Sequence, residues 1–279
     1  MAERTGIQWT DATFNGWWGC TKVGPGCDHC YADALDRRTG GAHWGSGVAR
    51  RRTSAKNWSE PRRWKPGTRV FCSSMCDVFD NEVPEEWRHD LFELIRATPH
   101  LRWQLLTKRI GNVPDMLPEG WPNGFEHVGI MATIVNQDEA DRDGPKLERV
   151  KALGTTWVGV SYEPALGPVD WTAFAPFLNW LIIGGESGHG ARPFSLEWAR
   201  SAIGQARALG FAAFVKQFGA KPFDQIITPG AVTSRDMRLA NKKGGDWTEW
   251  PAELRVREFP AALSLAANAE PSPSSHGGV

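Results

Sequence analysis

The sequence predicts an α/β fold: a parallel (β/α) barrel, partial or open and TIM-like, of about six or seven strands. Two observations carry this. Short apolar runs alternate with helix-like segments through most of the chain, and such alternation implies parallel strands joined by helical crossovers. The runs at 103–106 and 181–183 lack regular polar alternation, as strands covered on both faces do.

The elements follow in chain order. A first strand falls within 12–18, before the first cysteine. Further strands are expected at 69–73, 102–107, 127–134, 156–161, 180–184 and 211–216. Between 84 and 97, Trp87, Leu91, Leu94 and Ile95 share one helical face, and Pro84 suits a first helical position. Between 195 and 209, Trp198, Ala202, Ile203, Ala206 and Leu209 form a stripe. Ser195 can cap its start and Gly210 its end. The division expected is a barrel with an N-terminal cysteine loop over 1–229, a charged extension packed on it or acting as a lid over 230–259, and a disordered Ala/Pro/Ser-rich tail over 260–279.

Lys and Arg total 32 and Asp and Glu total 32, so no net field draws a partner, although a local patch can still bind nucleic acid. The polar start at 1–6 lacks a signal-like apolar stretch, and no apolar run reaches membrane-spanning length. A soluble, cytoplasmic protein without a membrane partner is expected.

Three of the five cysteines crowd into one short segment, Cys20, Cys27 and Cys30. In a reducing compartment that crowding points to metal or redox chemistry rather than disulfides. Gly24, Pro25 and Gly26 let the loop turn tightly around a ligand. Thiolates are soft donors for an iron–sulfur cluster or for zinc. Three cysteines leave one iron of a [4Fe-4S] cluster open, because such clusters usually take four. The competing reading is a zinc knuckle completed by His29 or His43. Cys72 and Cys76 read as buried small hydrophobes.

Ligands gather at the carboxyl ends of parallel strands. Those ends carry Ser73-Ser74-Met75-Cys76-Asp77, Thr107-Lys108-Arg109, Ser161-Tyr162-Glu163-Pro164, Gly184-Gly185-Glu186-Ser187-Gly188 and Lys216-Gln217-Phe218-Gly219. Together with Ile7–Asn15 and the cysteine loop, these segments resemble a bacteriophage and prophage family known as three-Cys-motif phage proteins, a domain of unknown function. The resemblance covers about residues 7 to 258. That family in turn resembles radical S-adenosylmethionine (SAM) barrels, including the lyase that reverses spore photoproduct. The common radical SAM spacing places three residues, then two, between the cysteines. Here the gaps are six and two, followed by Tyr31. Cys76 stands where relatives often have Ser, and Ala165 where Leu is common.

The resemblance implies a cluster on Cys20, Cys27 and Cys30 whose open iron chelates SAM. An electron donor of flavodoxin or ferredoxin type would drive reductive cleavage of SAM to a 5′-deoxyadenosyl radical. Ser73, Ser74, Asp77, Gly184, Gly185, Glu186 and Lys216 are the expected SAM-side residues, and Glu186, Glu163, Lys108 and Arg109 the catalytic candidates. For both glutamates the bland alternative is a rim ion pair with Lys108, Arg109, Arg192 or Lys216. Four cations at one mouth would suit an anionic substrate such as a nucleotide or nucleic acid. The basic, Trp-containing stretch 50–65 could hold phosphates, but reads better as a loop whose Trp residues pack on the barrel. Gln8 and Trp9 are expected to fold over the barrel base. Two rival functions stand beside the radical enzyme. One is a zinc- or cluster-binding module that docks a partner protein or nucleic acid. The other is a metal-independent enzyme pairing Glu163 with Glu186.

Overall fold

A computed structural model describes residues 5–228 and 231–264. In order the elements are β1 (Ala12–Phe14), β2 (Trp17–Trp18), α1 (Tyr31–Arg38), β3 (Arg51–Arg52), α2 (Ala55–Ser59), β4 (Arg69–Cys72), α3 (Glu85–Arg96), β5 (Arg102–Thr107), α4 (Val113–Met116), β6 (Val128–Thr133), α5 (Gln137–Ala152), β7 (Trp157–Tyr162), β8 (Trp180–Gly184), β9 (Phe194–Ser195), α6 (Leu196–Leu209), β10 (Ala212–Gln217), β11 (Pro222–Thr228), β12 (Ala231–Asp236) and α7 (Ala261–Ser264).

Seven strands form one sheet in the order β1-β4-β5-β6-β7-β8-β10, and every neighbouring pair is parallel. The spatial order follows the chain without reversal. A doubly wound sheet reverses at a switch point. This one winds in a single sense, so its twist accumulates into a curled half-barrel with β1 and β10 as its outer strands. That is the partial parallel barrel the alternation predicts.

Residue parity along the strands sorts two cores. Leu105, Ile130, Val160, Ile183 and Val215 face helices α3, α5 and α6, whose Leu91, Ile95, Leu147, Val150, Ala202 and Ala206 join the same cluster. The alternate positions Phe71, Met131, Ile182 and Phe214 line the inner face with Trp157 and Trp180. Trp9 packs into that inner cluster, 4.7 Å from Phe71 between ring centres, and so forms part of the base. Gly129 is required here because a Cβ on it would fall 1.8 Å from the Trp157 ring.

The carboxy-terminal segment covers the exposed edge of β10. Val215 donates its N–H to the Val256 carbonyl at 2.8 Å, and Glu258 donates to Ala213 at 2.9 Å. A covered edge cannot recruit another strand. Trp250 stacks on Phe218 with ring centres 4.4 Å apart.

Several details differ from the sequence reading. Pro84 is the residue before α3, extended at ψ 134°, and not its first turn. The 12–18 segment splits: β1 joins the main sheet, while β2 pairs antiparallel with β3. α5 escapes the apolar pattern because Gly144 and Pro145 interrupt a narrow stripe. Strands β11 and β12 pair antiparallel across residue 229, the point assigned as the end of the barrel, and β11 also pairs with β9. Residues 261–264, within the span expected to be disordered, form one helical turn whose Leu263 packs into the inner cluster. The rest of that tail, 265–279, lies outside the described residues.

The basic stretch is largely structural. Arg50 is buried against Asp80, Arg51 lies over Trp18 at 4.9 Å, Arg52 over Trp58 at 4.6 Å, and Trp64 is buried. No helix among the described residues is long and apolar enough to cross a membrane.

Candidate functional site

The segment from Gly19 to Tyr31 lies across the carboxyl ends of the sheet and is fastened at four of them. At the β4 end, Gly19 donates its N–H to Met75 at 3.1 Å and the Tyr31 hydroxyl donates to the Ser74 carbonyl at 2.8 Å. At the β5 end, Arg109 Nη1 reaches Cys20 Sγ at 3.3 Å and Nη2 donates to the Thr21 carbonyl at 2.7 Å. At the β6 end, Gly26 fits so closely that a Cβ would lie 3.0 Å from Val135 Cγ1. Beyond β8, His29 Nδ1 lies 2.9 Å from Glu186 Oε2, while Arg192 bridges Glu186 to the loop.

Cys20, Cys27 and Cys30 are all free thiols on this loop. Cys27 is buried and sits in a tight 3-10 turn, Pro25–Cys27. Cys30 occupies the N-cap of α1. Burial, with the Asp77 carboxylate adding to it, pushes the Cys20 thiol up to about 12 against the pull of Arg109. A metal bound here must displace that proton.

The donor set suits an iron–sulfur cluster: three soft thiols on one glycine-bearing loop, Cys27 buried and Cys20 and Cys30 half-buried. Among the described residues, no three His, Cys, Asp or Glu side chains gather closely enough to hold a single metal ion. Zinc would draw its ligands to about 2.0–2.3 Å from one centre. Both candidate histidines are engaged elsewhere, His29 with Glu186 and His43 Nδ1 with Asp36 Oδ1 at 2.9 Å. A cubane carries three thiolates on three separate irons, so its ligand sulfurs stand further apart than those around one ion.

Three of the four mouth cations are matched by carboxylates. Arg109 pairs with Asp77 at 3.2 Å, Arg192 with Glu186 at 2.6 Å, and Lys216 with Glu163 at 2.8 Å. Both glutamates thus sit in rim ion pairs. Burial raises Glu186, but hydrogen bonds from Arg192 and His29 outweigh it and hold the carboxyl at about 2. A carboxylate so firmly ionised is a poor proton carrier near neutrality, which weakens its pairing with Glu163 as acid and base. Lys108 donates to Thr133 Oγ1 at 3.3 Å and forms no ion pair among the described residues.

The SAM-side candidates from β4 are occupied by the protein itself. Asp77 accepts from Thr107 Oγ1 at 2.7 Å, from the Lys108 N–H at 3.1 Å and from the Phe79 N–H at 3.0 Å. Ser73 Oγ contacts Cys72 Sγ at 3.1 Å, and Ser74 Oγ accepts from Asn15 Nδ2 at 3.0 Å. Gly184 makes room for Glu163, whose Oε1 would stand 2.8 Å from an added Cβ, and Gly185 makes room for the Phe218 carbonyl at 2.2 Å. Cys72 is buried in β4, and burial pushes its thiol up to about 12. Burial raises Cys76 as well.

Sequence reasoning missed the second layer. Asn15 Oδ1 accepts the Met75 N–H at 2.7 Å and so ties β1 to the β4 end. Arg50 and Asp80 form a buried ion pair beneath the loop, which the partly exposed Glu82 joins. Asn15 lies one residue past β1, so the strand-end criterion would have found it. Arg50 sits far from any strand end and carried no such signal.

A family model described as a protein of unknown function (DUF5131) matches residues 4–251. No curated protein matches the chain. Among solved structures, a spore photoproduct lyase double mutant with bound AdoMet and dinucleoside spore photoproduct is 14% identical at a TM-score of 0.41, covering 75% of this chain and 56% of that one. A single mutant of the same lyase is 12% identical at a TM-score of 0.43, covering 82% and 69%. The chain therefore spans between half and about two thirds of those lyase lengths.

Proposed function

The chain belongs to the DUF5131 family, and from the geometry of its mouth we propose that it is an iron–sulfur enzyme of the radical SAM type, as its phage-family sequence motifs also suggest. One observation carries this reading: three free thiols, Cys20, Cys27 and Cys30, share a single loop pinned over the carboxyl ends of a parallel half-barrel. Those cysteines would hold a [4Fe-4S] cluster with one iron left for SAM. The bound pair would supply one-electron reductive cleavage of SAM, with the electron coming from an external donor of flavodoxin or ferredoxin type.

The chain's own residues hold and screen that centre. Arg192, Glu186 and His29 clamp the loop to the β8 end. Arg109 steadies the Cys20 side. Glu163, which lies over Gly184 and pairs with Lys216, is the carboxylate we assign to the SAM ammonium. Lys108, outside any ion pair among the described residues, is the cation available to a carboxylate or phosphate. That favours an anionic substrate, of which a nucleotide or nucleic acid is the class we propose.

The test is anaerobic reconstitution with iron and sulfide. A brown protein is expected, with broad visible absorption lost on replacing Cys20, Cys27 or Cys30 by Ala and kept in Cys72→Ala. Reductant plus SAM should then release 5′-deoxyadenosine. A colourless protein with one stoichiometric zinc would overturn the reading.

A further inference from the structure

We infer that Arg109 sets the reduction potential of the cluster, acting through the Cys20 sulfur. The inference rests on the cluster assignment above and assigns Arg109 a positioning role at the metal centre in place of substrate chemistry.

The guanidinium is fixed by contacts that do not involve the thiol. Nη2 donates to the Thr21 carbonyl at 2.7 Å and stands 3.6 Å from Asp80 Oδ1. Nη1 meets Asp77 Oδ2 at 3.2 Å. Asp77 is itself held by Thr107 Oγ1 and two backbone N–H groups, and Asp80 by Arg50. The side chains of Arg109, Asp77 and Asp80 are 8%, 6% and 2% exposed. Arg50 and Arg109 thus share a nearly water-free cluster with Asp77 and Asp80, and the partly exposed Glu82 also pairs with Arg50.

This fork leaves Nη1 3.3 Å from Cys20 Sγ. Among the described residues it is the one hydrogen bond donated to a sulfur of the loop. A structural arginine would be satisfied by its oxygen partners alone. Reduction adds negative charge that spreads onto the ligand sulfurs. A fixed guanidinium N–H aimed at one of them stabilises the reduced form and raises the potential. Because the fork is anchored in advance, little reorganisation accompanies electron entry.

The test compares reconstituted wild type, Arg109→Lys and Arg109→Gln, with Asp77 left in place and still held by Thr107 and two backbone N–H groups. Iron content and the cluster's electron paramagnetic resonance signal are read first, then the midpoint potential by redox titration. The expected result is wild-type iron content with a lower potential in Arg109→Gln. The ratio of reduced to oxidised cluster at fixed poise should fall roughly tenfold, the scale of one charge-assisted hydrogen bond. Arg109→Lys should fall between. Unchanged potentials in iron-replete variants would overturn the inference alone. So would loss of iron in both variants, which would make Arg109 an assembly residue. A wild type that takes up no iron would overturn the cluster reading and this inference with it.

Discussion

Arg192 Nη2 stands 2.6 Å from Glu186 Oε1, and the same guanidinium donates to the Pro25 carbonyl at 2.9 Å and pairs with Asp28 at 3.0 Å. One side chain therefore couples the segment after β8 to both sides of the Pro25–Cys27 turn. Replacing Arg192 by Ala should loosen the cysteine loop without unfolding the half-barrel. Iron release from the reconstituted protein to a chelator should quicken by roughly tenfold or more, since charge-assisted hydrogen bonds contribute about 1.5–3 kcal/mol each. Circular dichroism should stay at wild type.

Glu186 makes a pH prediction. Its carboxyl, ordinarily near 4.5, is held at about 2 in the folded protein. The folded value is the lower one, so the stabilisation is fully present above about 4.5 and fades as pH falls toward 2. Its ceiling is roughly 3 kcal/mol, reduced by solvent around the partly exposed Arg192 and His29. Urea unfolding of the metal-free protein should weaken across that window in wild type. Glu186→Gln should be less stable at neutral pH and should lack that component of the slope.

The Arg50–Asp80 pair is more consequential for folding. Arg50 is 0% and Asp80 2% exposed, with nitrogen and oxygen 2.8 Å apart. Asp80→Ala strands a buried guanidinium, which typically costs about 3–5 kcal/mol. The midpoint of urea unfolding should drop accordingly. A shift below about 1 kcal/mol would mean that Glu82, 3.2 Å from Arg50, replaces the lost partner.

Two glycines should respond in opposite directions to alanine. A Cβ on Gly185 would lie 2.2 Å from the Phe218 carbonyl oxygen, a backbone atom that cannot swing aside. Gly185→Ala should cost at least about 2–3 kcal/mol. Gly204 lies inside α6 with nothing within 4 Å of its would-be Cβ. Gly204→Ala should stabilise by about 0.5–1 kcal/mol through helix propensity. Thermal melts of the two variants on either side of wild type would check both.

The strands at Arg102–Thr107 and Trp180–Gly184 were legible because burial on both faces leaves an apolar signature within a few residues. The α6 helix was legible because its stripe, Ser195 cap and Gly210 stop are all local. The cysteine cluster was visible for the same reason. α5 was not: Gly144 and Pro145 interrupt its narrow apolar stripe, which rests on Ala140, Leu147 and Val150.

Composition and spacing alone determined a parallel α/β chain with a three-thiol loop near its start and charged strand ends. The tertiary structure decided which charges are paired and which residues touch the thiols. Arg109 meets Cys20 across 89 positions and Arg192 meets Asp28 across 164, distances over which no local pattern carries information. Periodicity records which face of an element is buried. Only the curl of the sheet brings the ends of β4, β5, β6 and β8 under one loop and matches three of the four apparent free cations with carboxylates.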